Sequence, residues 1–229
     1  MPLLSFSLKP SAFLTMVKRP SYYRPVFDIF APLYDLGVWL IGLPLGGEKN
    51  LRRLAIEAVN PAADSRVLEI CCGTGTISIM VAKKGALAYG LDISRGMLDV
   101  AREKAGREKV KVGLVQSDTA TLPFKAGAFD RVIASMGLHE MPFDVARGVF
   151  QEIKRILKNN GGRFIIFDYH KGEGAAGMLQ KIFFIFAEHG AAKEFINADL
   201  QKELRDAGFK GFQRRFLAKG TLQVVTAEI

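Results

Sequence analysis

The stretch Val67-Leu68-Glu69-Ile70-Cys71-Cys72-Gly73-Thr74-Gly75-Thr76 runs from an apolar β-type segment through one acid into a Gly-x-Gly turn. Ile77-Ser78-Ile79-Met80-Val81-Ala82 continues it with a helical pattern. The order is strand, tight loop, helix N-terminus. Glycines at 73 and 75 let the main chain turn sharply and let a ligand lie against bare backbone. The helix start adds N–H groups that lack intrahelical partners. A nucleotide-like ligand is expected against this loop.

A nicotinamide-binding turn places a third glycine three residues after the second, and Ser78 holds that position here. The acid four positions ahead of the first glycine, Glu69, is foreign to that fingerprint as well. Glu-x-x-x-Gly-x-Gly instead resembles the first motif of the class I S-adenosylmethionine-dependent methyltransferases. The resemblance implies S-adenosyl-L-methionine as cofactor and S-adenosyl-L-homocysteine as product. It also implies an α/β fold, a Rossmann-like three-layer sandwich. Its seven-stranded sheet would be mostly parallel, with an antiparallel C-terminal hairpin.

A length of 229 residues suits one large α/β domain with a modest cap. The longest apolar run, Ile182 to Ala187, is far short of the roughly 18 to 20 residues of a spanning helix. Adjacent Cys71 and Cys72 are the only cysteines, so neither a disulfide framework nor a metal site is expected. A reduced, cytoplasmic setting follows. The net charge of +9 favours an anionic partner, either a membrane surface or nucleic acid. Its basic residues are dispersed in pairs such as Lys18-Arg19 and Arg52-Arg53, read as solvated faces, and no nucleic-acid-binding signature is present.

The first 20 residues mix apolar side chains with prolines at 2, 10 and 20, and lack the charged start of an export signal. Such an arm could touch a bilayer or cover a site. Phe27-Asp28-x-x-Ala31-x-x-Tyr34-Asp35 resembles the N-terminal signature of the quinone-biosynthesis C-methyltransferases and related phospholipid N-methyltransferases. One domain over 1–229 is expected, with 1–45 as arm and cap and about 172–197 as a helical insertion on the substrate side. Leu51, Leu54, Ala55 and Ala58 mark a helix ending at Asn60-Pro61. Further strands are expected at Ala86 to Leu91, Val110 to Val115, Phe129 to Met136, Arg163 to Asp168, Phe212 to Leu217 and Leu222 to Ala227.

The cofactor residues implied by the resemblance are Tyr34 from the cap, then Glu69, Cys71, Gly73, Thr74 and Gly75 in the loop. They continue with Asp92, Ile93 and Met97 around the second strand end, Asp118 and Thr119 after the third, and Ser135 after the fourth. Glu69 would organise the loop and the methionine ammonium, Asp92 the ribose and Asp118 the adenine. Asp92 and Ser94 also stand where a helix cap is needed.

The transferred methyl group is already activated, so placement and exclusion of water suffice unless the acceptor must lose a proton. His139, after the fourth strand, is the candidate base, with Tyr23 and Tyr34 as aromatic alternatives and His170 near the same edge. The expected activity is methylation of a small lipophilic acceptor, an isoprenoid quinone precursor or a phospholipid amine, with peripheral membrane contact. A water-soluble acceptor, a nicotinamide-dependent oxidoreductase and an inactive cofactor-binding module are the alternatives. The sequence leaves the acceptor atom and the oligomeric state open.

Overall fold

Strands β1 (Arg66–Ile70), β2 (Leu87–Asp92), β3 (Val112–Gln116), β4 (Arg131–Ser135) and β5 (Arg163–Tyr169) are parallel. β6 (Lys210–Leu217) and β7 (Leu222–Glu228) complete a seven-stranded sheet in the order β3-β2-β1-β4-β5-β7-β6. β7 pairs antiparallel with both β5 and β6. The expected architecture is therefore present. The chain was described from a computed structural model covering residues 20, 23, 25–42, 48–174, 177, 178, 180, 181 and 190–229. The arm over residues 1–19 and the apolar run Ile182 to Ala187 lie outside the described residues.

Both faces of the sheet are buried, as parallel sheets require. Leu68, Ile70, Val132, Ala134, Phe164 and Ile166 project into one core. Val67, Ile133, Ile165 and Phe167, the alternate positions, project into the other. Helix α1 (Val26–Gly42) precedes α2 (Glu48–Val59), which covers the second core together with α3 (Thr76–Lys83). The first core is covered by α5 (Phe143–Ile156), which follows α4 (Arg95–Arg107) in the chain. Buried Phe143, Ala146, Val149, Phe150, Ile153 and Ile156 form one stripe along α5. Short helices α6 (Gly190–Asn197) and α7 (Leu200–Asp206) extend the same layer through Phe195, Leu200 and Leu204.

Several boundaries differ from the sequence expectation. β4 starts at Arg131 because Phe129 is engaged in an isolated bridge with Leu157, ahead of the ladder. β3 starts at Val112, where its pairing with Ala88 begins. β6 starts at Lys210 and accommodates an irregularity before Gln213, which the apolar pattern from Phe212 does not reveal. α2 buries Leu51, Ala55, Ile56 and Val59, leaving Leu54 and Ala58 only partly covered.

Candidate active site

Chain order reverses between β1 and β4, which are neighbours although β2 and β3 lie between them in sequence. The loops leaving their carboxyl ends part there, opening the crevice where open α/β sheets bind ligands. In the loop after β1, Cys71, Gly73 and Gly75 take positive φ values of 52°, 50° and 71°. A Cβ added to Gly73 would meet no atom within 4 Å, so this glycine borders open space. One added to Gly75 would lie 2.9 Å from the Ala101 Cβ, so Gly75 is required for packing loop against α4.

Three carboxylates brace this loop. Glu69 belongs to the sheet face covered by α3, and its Oε2 accepts from Ser78 N at 2.8 Å and Ser78 Oγ at 2.5 Å. Burial pushes its carboxyl up to about 7 against the pull of those two bonds and of Arg52. Asp92 Oδ2 accepts from Gly73 N at 2.7 Å, and its Oδ1 from Ser94 N at 2.9 Å. Burial raises its pKa too, against those backbone bonds. Each carboxylate oxygen has two lone pairs, so these contacts leave Asp92 acceptor capacity for ligand hydroxyls. Asp35, from α1, accepts from Thr74 Oγ1 at 2.6 Å and from Lys104 Nζ at 2.6 Å. Burial opposes its ionisation, but Lys104 and Thr74 hold the carboxyl below its usual value.

α1 is fixed a second time at its start. Asp28 Oδ1 accepts from Ser94 Oγ at 2.7 Å and from Gly96 N at 3.0 Å, while its Oδ2 accepts from the Tyr23 hydroxyl. Ser94 caps α4 as expected, accepting from Met97 N at 3.1 Å. Tyr23 is thus engaged inside the cap through Asp28. Tyr34 lies on the inner side of α1, where burial pushes its phenol up to about 12 and Arg52, Glu140, Asp92 and Asp35 act on it.

The remaining expected cofactor residues line the strand ends. The Ile93 carbonyl accepts from Gln116 Nε2 at 3.1 Å, and Met97 is buried at the first turn of α4. Asp118 Oδ1 accepts from Ala120 N at 3.0 Å, shaping the turn after β3 in which Thr119 is buried. Ser135 ends β4, partly exposed and level with Phe167 of β5.

At that edge the chain turns back through Gly137, where a Cβ would collide with Cys71 of the glycine loop. The next residues form a short 3-10 turn, Leu138–Glu140. His139 Nδ1 stands 2.6 Å from Asp168 Oδ1, and Asp168 also accepts from Leu138 N at 3.1 Å and Tyr169 N at 2.7 Å. The His139 ring lies 4.5 Å from the Tyr169 ring, centroid to centroid. His170 instead bonds Gly220 O at 2.7 Å through Nδ1 and packs its ring, tilted by 42°, against Phe216, so it serves the hairpin and does not join His139. His189 lies outside the described residues.

Two site residues were missed in the sequence. Asp168 ends a strand like several other acids, and only the β4–β5 register puts it beside His139. The pair Arg52-Arg53 reads as a solvated face in the sequence, yet the positive charge of Arg52 acts on Glu69, Asp35 and Tyr34. The burial of Leu51 and Ala55 orients it, which the basic pair Arg52-Arg53 alone does not show. The thiol of Cys71 reports the same convergence: it is raised by burial first, then by the charges of Asp92, Asp168, Glu69 and Glu140. Neither cysteine is a thiolate, because burial also raises Cys72.

Residues 67–161 match a family model described as a methyltransferase domain. An uncharacterized methyltransferase of Synechocystis is 34% identical over 199 residues, spanning 85% of this chain and 90% of the relative. A demethylmenaquinone methyltransferase of Clavibacter sepedonicus is 31% identical over 226 residues, spanning 89% of this chain and 88% of its own. The chain belongs to the class I S-adenosylmethionine-dependent methyltransferases. The nicotinamide alternative gives way to that assignment. Among solved structures, phosphoethanolamine N-methyltransferase 2 of Haemonchus contortus, in complex with phosphomonomethylethanolamine and S-adenosylhomocysteine, shares the fold. It superposes with a TM-score of 0.68 at 18% identity, over 88% of this chain and 59% of the solved chain.

The crevice suits the cofactor of the family. S-adenosylmethionine carries a sulfonium, an ammonium and a carboxylate. The charges of Asp92, Asp168, Glu69 and Glu140 all act on Cys71 beside Gly73, while Arg52 acts on Glu69 and Lys104 pairs with Asp35 at the other side of the loop. A mainly negative environment with the Arg52 guanidinium acting on Glu69 suits that charge pattern.

Proposed function

We propose that this methyltransferase transfers a methyl group to a small lipophilic acceptor of the isoprenoid quinone-precursor class at the carboxyl edge of β4 and β5. The observation that carries the proposal is the buried His139–Asp168 pair, set directly beyond the Gly137 contact with the glycine loop. The Clavibacter relative and a 2-phytyl-1,4-naphtoquinone methyltransferase of Trichormus variabilis, 30% identical over 154 residues, support the acceptor class. Both a ring hydroxyl and a protonated amine must lose a proton before they attack, so the base serves either and the relatives decide the acceptor class.

Bound S-adenosylmethionine supplies an activated methyl on a positively charged sulfur. The carboxylate of Asp168 holds the His139 proton at Nδ1, which makes Nε2 the basic nitrogen. Nε2 takes the acceptor's hydroxyl proton, and the electron density released strengthens the attacking atom. The new bond to the methyl carbon would form as the carbon–sulfur bond of the sulfonium breaks and S-adenosylhomocysteine leaves; the acceptor's hydroxyl proton would pass from His139 to solvent, and a ring hydrogen displaced by the methyl would return to the hydroxyl oxygen. Glu69 and Arg52 take the ammonium and carboxylate of the methionine end. Gly73, Thr74 and Gly75 admit its chain along the backbone. Asp92 takes the ribose hydroxyls beside Ile93 and Met97; Asp118 and Thr119 take the adenine, and Ser135 borders the methyl. Tyr34 closes the crevice from α1, with 1–45 as the cap and about 172–197 as the acceptor-side insertion of one domain.

The protein meets this acceptor at the cytoplasmic membrane surface. No helix among the described residues is long and apolar enough to cross a membrane. Transfer of labelled methyl from S-adenosylmethionine should be measured to a short-chain prenylated naphthoquinol, to phosphatidylethanolamine and to a water-soluble catechol. Label in the quinol alone is the expected result. Label in the catechol alone, or binding of S-adenosylhomocysteine with no transfer to any of the three, overturns the proposal.

A further inference from the structure

Helix α1 has two unlike faces. Its inner face carries Asp28, Ala31 and Asp35; Ala31 is buried, and both acids accept hydrogen bonds from the loop and α4. Its outer face carries Val26, Ile29, Phe30, Leu33 and Leu36, exposed by 38, 73, 56, 60 and 54%. The spacing i, i+3, i+4, i+7, i+10 makes these one stripe. Both acids of α1 lie on the other side, so the stripe itself is uncharged. Contiguous exposed apolar surface of this kind marks an interaction site.

The charge of the adjoining chain identifies the partner. Ahead of Asp28 the sequence holds Lys9, Lys18, Arg19 and Arg24 and not one acidic residue. The whole chain carries +9. A second copy would bring like charges against each other, whereas an anionic lipid surface complements both the cations and the stripe. Apolar side chains entering the headgroup boundary, with basic residues nearby in the chain, are the chemistry of interfacial helices.

We propose that the outer face of α1 docks on an anionic lipid surface. The inner face of the same helix bonds Thr74 of the glycine loop through Asp35, so docking turns the crevice toward the bilayer. The benefit rests on the lipophilic acceptor proposed above; the docking itself needs no acceptor. Each apolar side chain withdrawn from water strengthens binding about tenfold or more, and each cation near the surface about fivefold.

Flotation of the full chain should be compared on vesicles of phosphatidylcholine alone and of phosphatidylcholine mixed with phosphatidylglycerol. The protein should rise with the mixed vesicles, and less so as salt is added. The double substitution Ile29→Glu with Leu33→Glu should cut that partition at least tenfold while leaving S-adenosylhomocysteine affinity unchanged. Phe30→Gln, a milder change on the same stripe, should give a smaller loss in the same direction. Partition that is equal with and without the anionic lipid, or unaltered in both variants, overturns the docking. So does a dimer in light scattering that both variants convert to monomer without change in flotation. Failure of quinol methylation in detergent solution would remove the acceptor assignment and leave the flotation result standing.

Discussion

Asp168 Oδ1 lies 2.6 Å from His139 Nδ1 with 4% of the histidine and none of the aspartate side chain exposed. A charge-assisted bond in so dry a place fixes the ring's orientation and tautomer together. It also holds the turn after β4 to the end of β5, because the same carboxylate receives Leu138 N and Tyr169 N.

Asp168→Asn should therefore keep the fold but present the wrong partner to Nδ1. Turnover with a hydroxyl-bearing acceptor should fall about 10²- to 10⁴-fold, the usual contribution of a positioned base. Affinity for S-adenosylhomocysteine, measured by calorimetry, should be unchanged. Raising the pH should restore part of the rate if the acceptor can ionise unaided, as His139→Ala should also show. A parallel loss of ligand affinity would mean that Asp168 merely holds the edge together.

The uneven legibility of this site follows from how local each signal is. Glu69, Gly73 and Gly75 sit within one strand-loop-helix unit, so their spacing carries the reading. The parallel sheet is equally legible, since strands such as Phe164-Ile165-Ile166-Phe167 are buried on both faces and read as unbroken apolar runs. Asp168 is different: its meaning depends on β4 and β5 being neighbours, a relation that no local pattern contains. Arg52 and Arg53 are adjacent and chemically alike, and only the packing of α2 separates them. Arg53 pairs with Glu57 on the surface, while Arg52 acts on the crevice. The roles of Asp28 and Asp35 likewise require α1 to be docked before their partners in α4 and the loop come into reach.

Glu69 links ligand binding to protons. Its carboxyl is raised from 4.5 to about 7 by burial, so between those values the folded apoprotein binds more protons than the unfolded chain. Stability from this group is therefore present at low pH and lost as pH rises through that window. An ammonium placed against Glu69 favours the carboxylate, and binding near pH 7 should release about half a proton. Calorimetry in buffers of different ionisation enthalpy reads this directly. Glu69→Gln should abolish the release and weaken binding; a release that persists would assign the proton elsewhere.

Arg52 tests the other end of the same ligand. Replacing it with Met keeps the length of the stem and removes the charge that acts on Glu69, Asp35 and Tyr34. Affinity for S-adenosylmethionine should drop about 10- to 100-fold, in line with the loss of one partly buried charge-assisted contact. The rate at saturation should hold, because the lost contact is equal in ground and transition states. Lys should recover part of the affinity as a point charge without the planar fork. A fall in the saturated rate with unchanged affinity would exclude Arg52 from the methionine end.

Gly75 separates packing from ligand binding within one loop. Its φ of 71° disfavours any side chain, and a Cβ would approach the Ala101 Cβ to 2.9 Å. Gly75→Ala should cost about 1–2 kcal/mol for the left-handed backbone alone, before the contact with α4 is counted. For a domain of this size that lowers Tm by several degrees, about 2–4 °C per kcal/mol. Gly73→Ala has a φ of 50° but open space beyond its Cβ, so it should show the backbone penalty without the collision. Its added methyl would project into the space assigned to the methionine chain, and its larger defect should be in S-adenosylhomocysteine affinity. Thermal melting and calorimetry of the two variants should give opposite rankings. Identical rankings would show that Gly73, like Gly75, is there for packing alone.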